Sequence, residues 1–274
     1  MKKSFKDLFS LKGRTAVVTG GAGTLGRVFC ASLAEFGAGV VVADIDGDRA
    51  EACAKELRKR YRARAIGLAC DVSDRASVRA LVSETLKAFG AVHVLHNNAA
   101  TKSRDTAAFF KPFEEYSLAQ WREIMQVNLD GMFLAAQAVG GQMARQGKGG
   151  SIIQTASIYG MLGSDARIYE GSHYLGGKIN TPAVYAASKG GVIALTKHLS
   201  AYWAAKKIRV NTLTPGGVES GQNSHFKKKY SDRVPLARMA RAEEMAGALI
   251  YLASDASSYV TGQNLIVDGG LSVW

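Results

Sequence analysis

Seven short apolar, β-rich runs alternate with segments of helical pattern along the chain, at residues 15–19, 40–43, 65–69, 92–96, 151–155, 208–213 and 264–267. Parallel strands cannot be joined by tight turns, so strand–helix alternation is typical of a parallel sheet. The near-continuous apolar character of the runs indicates a sheet buried on both faces. No linker or internal repeat divides the 274 residues. We therefore predict one α/β domain over residues 1–274, with a doubly wound, seven-stranded, mostly parallel sheet and helices on both faces.

Composition excludes several classes of protein. No apolar run approaches the ~18 residues that cross a bilayer, so we expect no membrane association. Residues 1–10 form a short basic arm without the apolar core or cleavage site of a signal peptide. Cys30, Cys53 and Cys70 are odd in number and show no C-x-x-C spacing, which favours buried or incidental thiols in a cytoplasmic protein.

The net charge of +12 raises the possibility of a nucleic-acid partner. Most basic residues are scattered through amphipathic helical segments, and the only run of three consecutive lysines is 227–229. No recognition-helix or aromatic binding-strand motif accompanies that run. We interpret the charge as a solvated surface and expect a small-molecule substrate and no nucleic acid.

A glycine-rich turn follows the first predicted strand and opens a helix. Gly21, Gly23 and Gly26 satisfy G-x-G-x-x-G in the strand–turn–helix context that a dinucleotide site requires. Glycines let the backbone approach a pyrophosphate, which then lies at the positive end of the helix. The pattern predicts a Rossmann domain that binds a dinucleotide; the alternative is a plain glycine-rich turn.

Asp44 ends the second predicted strand, about 20 residues beyond the glycine turn, where a carboxylate suits the adenosine ribose hydroxyls. A carboxylate there repels a 2′-phosphate, and no basic residue follows at once, so we predict NAD as cofactor, with NADP less favoured. The alternative for Asp44 is a helix cap.

Tyr185 and Lys189 lie four residues apart in a predicted helix over residues 181–201, a spacing that puts both on one face. A phenol has a pKa near ~10, and a neighbouring ammonium favours the phenolate. A tyrosine whose pKa is lowered in this way can exchange a proton with an alcohol. Thr181 is predicted as the helix cap and Pro182 as its first residue. The alternative is a chance Y-x-x-x-K on an amphipathic helix.

Three other patterns predict structural roles. Ser73 is expected to cap the helix that follows the third strand, and Ser117 the helix after the fourth. His93 and His96 are three residues apart within a strand and so point to opposite faces, which indicates structural histidines. We predict no metal site.

Together these features resemble the short-chain dehydrogenase/reductase family along residues 11–273. The matching motifs, in chain order, are the glycine turn, Asp71-Val72, Asn97-Asn98-Ala99, Asn128, Ser157, Tyr185-x-x-x-Lys189, Pro215-Gly216 and Asp268-Gly269-Gly270.

The resemblance implies a role for each matched residue. Tyr185 would be the acid/base, Lys189 would lower its pKa and hold the nicotinamide ribose, Ser157 would polarise the substrate oxygen, and Asn128 would hold a water leading to Lys189. Asn97 is expected to tie strands together. The residues expected to contact the cofactor are Gly20, Gly23, Thr24, Leu25, Gly26, Asp44, Ile45, Asp71, Val72, Asn98, Ala99, Ala100, Tyr185, Lys189, Pro215, Gly216, Val218 and Ser220. Relatives are commonly tetramers, so the resemblance also implies a homo-oligomer, a tetramer or dimer.

The chain departs from the family pattern at three places. Thr24 replaces the usual middle glycine, although Gly23 precedes it and would let the turn re-form, and Ala100 replaces the usual glycine after Asn-Asn-Ala. The interval from Ser157 to Tyr185 is longer than in most relatives, which predicts an inserted loop over about residues 159–180 beside the substrate. Its Ser157-Ile158-Tyr159-Gly160 and Ile168-Tyr169-Glu170-Gly171 segments resemble a subgroup linked to bacterial surface-glycan and flagellin sugar modification.

Polar groups on the inserted loop and on the segment after Pro215 predict a polar substrate, such as a sugar or sugar acid. On the loop they are Arg167, Tyr169, Glu170, His173 and Lys178; across from it they are Gln222, Asn223, His225 and residues 227–229. The alternative is that the loop packs against a neighbouring subunit.

Three functions remain open at this point. The first is an NAD-dependent alcohol dehydrogenase or carbonyl reductase. The second is a lyase or epimerase that uses tightly held NAD transiently, and the third is a non-catalytic dinucleotide sensor. A sensor is expected to have lost Tyr185 or Lys189, and both are present.

Overall fold

A computed structural model describes residues 4–103, 105–174 and 177–274. Its strands are β1 (Thr15–Thr19), β2 (Gly39–Asp44), β3 (Ala65–Ala69), β4 (Val94–Asn97), β5 (Gly150–Thr155), β6 (His173–Tyr174), β7 (Gly177–Lys178), β8 (Ile208–Pro215) and β9 (Asn264–Val267). Its α-helices are α1 (Thr24–Glu35), α2 (Gly47–Tyr61), α3 (Arg75–Phe89), α4 (Thr106–Phe109), α5 (Leu118–Met125), α6 (Gly131–Ala135), α7 (Gly141–Gln146), α8 (Ala183–Trp203), α9 (Ser224–Ser231) and α10 (Ala246–Ala253).

Seven strands form one sheet in the order β3-β2-β1-β4-β5-β8-β9, and every neighbouring pair is parallel. The chain builds outward from β1 to β3 and then returns to place β4 on the other side of β1. This reversal opens a crevice at the carboxyl ends of β1 and β4, the position where doubly wound folds bind ligands. The predicted doubly wound parallel sheet is confirmed.

Alternate residues of each strand enter two separate cores. Val40 and Val42 of β2 pack with α1, α2 and α10, whereas Val41 and Ala43 pack on the opposite face with α3, α8 and the α6–α7 region. Successive strand side chains point to opposite faces, so helices on both sides bury the whole strand. This burial accounts for the apolar runs in the sequence.

Two predicted caps differ from the structure. Asp74, not Ser73, caps α3, because its carboxylate accepts the N–H groups of Ala76 and Ser77. At α8 the cap residue is Pro182 and no side chain caps the helix, since the Thr181 hydroxyl bonds Tyr169 instead. The predicted Ser117 cap is confirmed, because its hydroxyl accepts the Gln120 N–H.

The helical run from α5 to α7 is interrupted by two π-helical segments, Gln126–Asp130 and Ala136–Gly140. π-Segments inside α-helices occur often at functional sites. The first one contains Asn128.

None of the helices in the described ranges combines the length and apolarity needed to span a bilayer. The three cysteines are free and buried, as predicted.

Candidate active site

The glycine turn lies at the carboxyl end of β1, and its glycines are required by close packing. Gly20 has φ +61°, and a Cβ on it would lie 2.9 Å from the Cα of Ala99. A Cβ on Gly26 would overlap the carbonyl oxygen of Gly20. Gly23 precedes α1 as its cap residue and offers no side chain to the first-turn N–H groups. Thr24 begins α1, so the turn forms although threonine replaces a glycine.

The ends of β1 and β4 are tied together by side-chain hydrogen bonds. The Thr19 hydroxyl accepts the N–H groups of Asn98 and Ala99, at 2.9 and 3.1 Å, and donates to Oδ1 of Asn97. Asn97 is fully buried and its amide donates to the carbonyl of Met132 and to Gln154. Asn97 therefore ties elements together, as predicted, and the crevice beside Asn98 and Ala99 has fixed walls.

Asp44 ends β2 next to the glycine turn. Its carboxylate accepts the backbone N–H of Ala22 at 3.0 Å and that of Asp46 at 3.3 Å. The carbonyl of the same residue, Ala22, accepts hydrogen bonds from Arg49 and Arg27 at 2.9 and 3.3 Å. The structure thus places one carboxylate and two guanidinium groups around one loop residue.

Asp71 and Val72 follow β3 at the same edge of the sheet. The Asp71 carboxylate accepts the backbone N–H and the hydroxyl of Ser73, at 2.9 and 2.6 Å. Ile45 and Ala100 are solvent-exposed at this edge. Their position at the edge of the sheet that carries the glycine turn agrees with the expected cofactor positions, and contact with a cofactor stays a prediction.

Tyr185 and Ser157 meet where α8 faces the end of β5. Both line one cavity, and the nearby Ser157 hydroxyl lowers the pKa of Tyr185, but burial raises that pKa more, so the net shift is upward. The expected lowering of this pKa by Lys189 is therefore not what the structure shows. The absence of a side chain at Gly160 lets the turn after Ser157 lie against α8, since a Cβ on Gly160 would lie only 2.8 Å from the Lys189 carbonyl oxygen.

Lys189 is 2% exposed and its Nζ donates to the carbonyl of Thr155 at 2.8 Å. Burial lowers its pKa from 10.5 to about 8. The Nζ atom lies 5.9 Å from the centre of the Tyr185 ring. A positive charge held this close to the phenol stabilises any phenolate that forms.

Asn128 lies fully buried on the first π-segment. Its Oδ1 accepts the Thr101 N–H at 2.8 Å, and its Nδ2 donates to the Thr101 carbonyl at 3.3 Å. These bonds fix the segment that follows Asn98 and Ala99. Sequence reasoning found Asn128 through the resemblance, but the π-segment itself carried no readable signal.

A cavity of 590 Å³ opens in front of Tyr185 and Ser157. Its walls come from the inserted loop, from α4 and the residues on either side of it, from α9 and from the segment after β8. They include Lys102, Thr106, Phe109, Phe110, Tyr159, Tyr169, His173, Asn180, Gly216, Ser220, Gln222, Asn223, Phe226 and Tyr230. Among the described lining residues none is a carboxylate. The site can therefore accept neutral or anionic polar molecules.

Only part of the predicted polar set lines this cavity. Tyr169, His173, Gln222 and Asn223 do. The others bond to protein groups or lie outside the lining. Arg167 pairs with Asp165, Glu170 with Lys229, and Lys227 with Glu219, and the His225 ring bonds the Glu170 carbonyl. Lys178 and Lys228 are not among the residues that line the cavity.

Several lining residues were missed by sequence reasoning. Phe226 and Tyr230 are spaced four residues apart on α9, so a helical pattern could have identified them as one face. Gly217 donates its N–H to the Tyr230 hydroxyl, which fixes α9 against the end of β8. Apart from their position after Asn98, nothing in the sequence marks Lys102, Phe109 and Phe110 as residues that line the cavity.

The histidines of β4 and its approach are structural, as predicted. His93 accepts the Thr15 N–H at 3.0 Å, and His96 lies 2.9 Å from the Thr155 hydroxyl. Burial lowers the pKa of His96 to about 3, which keeps the ring neutral. Within the described ranges, no cluster of three or more His, Cys, Asp or Glu side chains could hold a metal ion.

Comparisons with known proteins cover almost the whole chain. A family model described as enoyl-(acyl carrier protein) reductase matches residues 20–272. D-threitol dehydrogenase of Mycolicibacterium smegmatis is 34% identical over 97% of this chain and 95% of its own. NADP-dependent mannitol dehydrogenase of Alternaria alternata is 34% identical over 98% and 96%. The crystal structure of a gluconate 5-dehydrogenase from Burkholderia cenocepacia in complex with NADP and tartrate is 35% identical, covers 98% of both chains and superposes with a TM-score of 0.86.

Proposed function

Because the chain belongs to the short-chain dehydrogenase/reductase family, we propose that it is an oxidoreductase that moves a hydride between nicotinamide and the alcohol or carbonyl carbon of a polyol or sugar-like substrate. The observation that carries this proposal is that Tyr185 and Ser157 line one cavity together, with the buried Lys189 ammonium 5.9 Å from the centre of the Tyr185 ring. The names of the threitol, mannitol and gluconate dehydrogenases support the substrate class.

The residues around the glycine turn fit a dinucleotide. Because Gly26 has no Cβ, the first turn of α1 lies directly against the Gly20 carbonyl. No side chain caps α1, so the N–H groups of its first turn can bind a pyrophosphate. The hydrogen bond from Asn98 to Thr19 fixes the neighbouring wall of the crevice. Gly20, Gly23, Thr24 and Leu25 would hold the pyrophosphate. The remaining expected contacts at the edge of the sheet are Asp44, Ile45, Asp71, Val72, Ala99, Ala100, Pro215, Gly216, Val218 and Ser220.

A nicotinamide cofactor bound beside the glycine turn would supply the hydride chemistry, and the chain's own residues handle the proton and the substrate. Ser157 donates a hydrogen bond to the substrate oxygen, and Tyr185 takes the hydroxyl proton in oxidation or returns it in reduction. Lys189 stabilises the phenolate by its charge. Asn128 would hold a water that leads to Lys189. These roles agree with the burial and contacts of each side chain.

We propose NAD as the preferred cofactor, because Asp44 is held at the edge of the glycine turn by two backbone N–H groups. Arg27 and Arg49 beside Ala22 favour the second candidate, NADP, since guanidinium groups bind phosphate well. The NADP in two relatives' names belongs to those proteins.

The homo-oligomer, the cytoplasmic location and the narrower link to surface-glycan or flagellin sugars remain predictions from the sequence. The same holds for the absence of a nucleic-acid partner. Lys227 and Lys229, in the run of three consecutive lysines, are paired with Glu219 and Glu170, which agrees with a surface role.

The proposed function is tested by incubating the purified chain with NAD or NADP and a panel of polyols, sugars, sugar acids and nucleotide sugars. We expect one molecule of reduced cofactor for each molecule of ketone formed. Product without net reduced cofactor would identify the lyase or epimerase alternative. Cofactor binding with no turnover of any of them would favour the sensor.

A further inference from the structure

The inserted loop brings two tyrosines to the cavity wall beside Tyr185. The Tyr169 hydroxyl lies 2.5 Å from the Thr181 hydroxyl and 3.5 Å from that of Tyr159. Tyr159, Tyr169 and Thr181 all line the cavity that contains Tyr185 and Ser157. A cluster of hydroxyl groups therefore faces the reacting position.

The Tyr169 hydroxyl retains hydrogen-bonding capacity for a ligand. A phenol offers one donor and two acceptor lone pairs. The short contact to Thr181 uses one of these, and the contact to Tyr159 is too long to be strong. Whichever of the two hydroxyls donates in the Thr181 contact, at least one lone pair of the Tyr169 oxygen remains available to accept a hydrogen bond from a ligand.

Contacts that do not involve this hydroxyl hold the Tyr169 backbone and ring in place. The ring packs on Phe226 with 5.6 Å between centroids. Next to it, Glu170 pairs with Lys229 at 3.0 Å, and the His225 ring bonds the Glu170 carbonyl at 2.9 Å. Removing only the hydroxyl is therefore expected to leave the loop where it is.

Tyr169 also acts electrostatically on the acid/base. Its proximity contributes to the raised pKa of Tyr185, after burial. Both phenols line the same cavity, so one substrate bound there can contact both. A molecule whose reacting oxygen lies at Tyr185 would bring the next polar group along its chain toward Tyr169.

We propose that Tyr169 is a specificity-determining residue that binds the hydroxyl next to the reacting carbinol, and so selects vicinal diols over simple alcohols. The proposal rests on the proposed function, because it concerns the substrate of that same site. It identifies the recognised chemistry as a polyol or sugar with adjacent hydroxyl groups.

The test compares butane-2,3-diol with butan-2-ol, which differ by one hydroxyl, and includes threitol as a longer polyol. In Tyr169→Phe we expect kcat/KM for the diol and for threitol to fall about 10-fold, the loss of one hydrogen bond, while kcat/KM for butan-2-ol stays within about twofold. We also expect the ascending, acidic limb of the kcat pH profile for oxidation to move to lower pH, because Tyr185 must be deprotonated to act as base and the raising effect of Tyr169 on its pKa is removed. A loss of packing alone would not move that limb.

Two further variants complete the design. Thr181→Val removes the partner that orients the hydroxyl, and we expect a smaller loss with the same preference for diols. Tyr202→Phe, an exposed tyrosine at the far end of α8, is the matched control and is expected to keep all three rates.

The outcomes separate this inference from the proposed function. Equal losses on the diol and on butan-2-ol, or no loss on either, would overturn the role of Tyr169. A wild-type chain that oxidises butan-2-ol as well as the diol would also overturn it, while leaving the oxidoreductase intact. No reduced cofactor from any alcohol would contradict the proposed function itself, and the inference with it.

Discussion

At the scale of single residues, burial alone lowers the pKa of Lys189. Its ammonium is removed from water and has one backbone carbonyl as a hydrogen-bond acceptor, so its pKa falls to about 8. The unfolded chain keeps that proton up to the ordinary value of 10.5. Between these two values the unfolded state binds more protons, so the stability contributed by this site rises with pH.

This sign gives a measurable prediction. The free energy of unfolding of the wild type minus that of Lys189→Met should rise by about 1–2 kcal/mol from pH 8 to pH 9.5. Urea unfolding at both pH values measures it, with Lys197→Met, an exposed lysine on the same helix, as control. A difference that does not change with pH would contradict the buried, pKa-shifted ammonium.

At the same scale, we expect Asp44 to set the cofactor preference. A carboxylate at this position favours ribose hydroxyls and repels a 2′-phosphate. We expect Asp44→Ala to lower kcat/KM with NAD by about 10-fold and to raise it with NADP, because the carboxylate that repels a 2′-phosphate beside Arg27 and Arg49 is then gone. Steady-state rates with both cofactors decide it. A wild-type preference for NADP would show that the two guanidinium groups outweigh Asp44.

At the scale of elements, the glycine turn and α1 act as one unit. Gly26 belongs to the first turn of α1, and its missing Cβ leaves room for the Gly20 carbonyl. Gly26→Ala must move the turn away from the helix, so we expect cofactor affinity to fall at least about 10-fold while the sheet stays folded.

Cofactor titration followed by fluorescence measures this loss. Gly247→Ala is the matched control, because it is also helical and a Cβ there meets nothing within 4 Å. Unchanged affinity in Gly26→Ala would contradict the proposed place of the pyrophosphate.

Helix ends and irregular turns were the elements least accessible from sequence. Ser73 and Asp74 are both good capping residues, and the local pattern does not show whether the Ser73 hydroxyl or the Asp74 carboxylate accepts the N–H groups of the first turn of α3. The predicted Thr181 cap failed because Tyr169, distant in sequence, competes for that hydroxyl. The π-segment around Asn128 depends on packing against α8 and on Thr101, which no local propensity encodes.

At the scale of the whole molecule, the strands were readable because burial on both faces leaves a simple signature. Runs such as 15–19 and 264–267 were placed without error, and their parallel order follows from the helices between them. The carboxyl ends of β1, β4, β5 and β8 then bring distant motifs together, which is why Asn98, Ser157 and Gly216 converge. The cavity wall formed by α4, α9 and the inserted loop depends on tertiary contacts and could not be predicted in this way.

The central claim is that this convergence makes Tyr185 the acid/base of an alcohol–carbonyl oxidoreductase. The most direct measurement is reduced-cofactor formation from a polyol by the wild type and by Tyr185→Phe, with cofactor affinity measured in parallel. We expect turnover by Tyr185→Phe to be about 10²–10⁴-fold lower than that of the wild type and its cofactor affinity to be unchanged, since only a proton-transfer group is removed. Turnover near the wild-type rate in a folded Tyr185→Phe protein would contradict it.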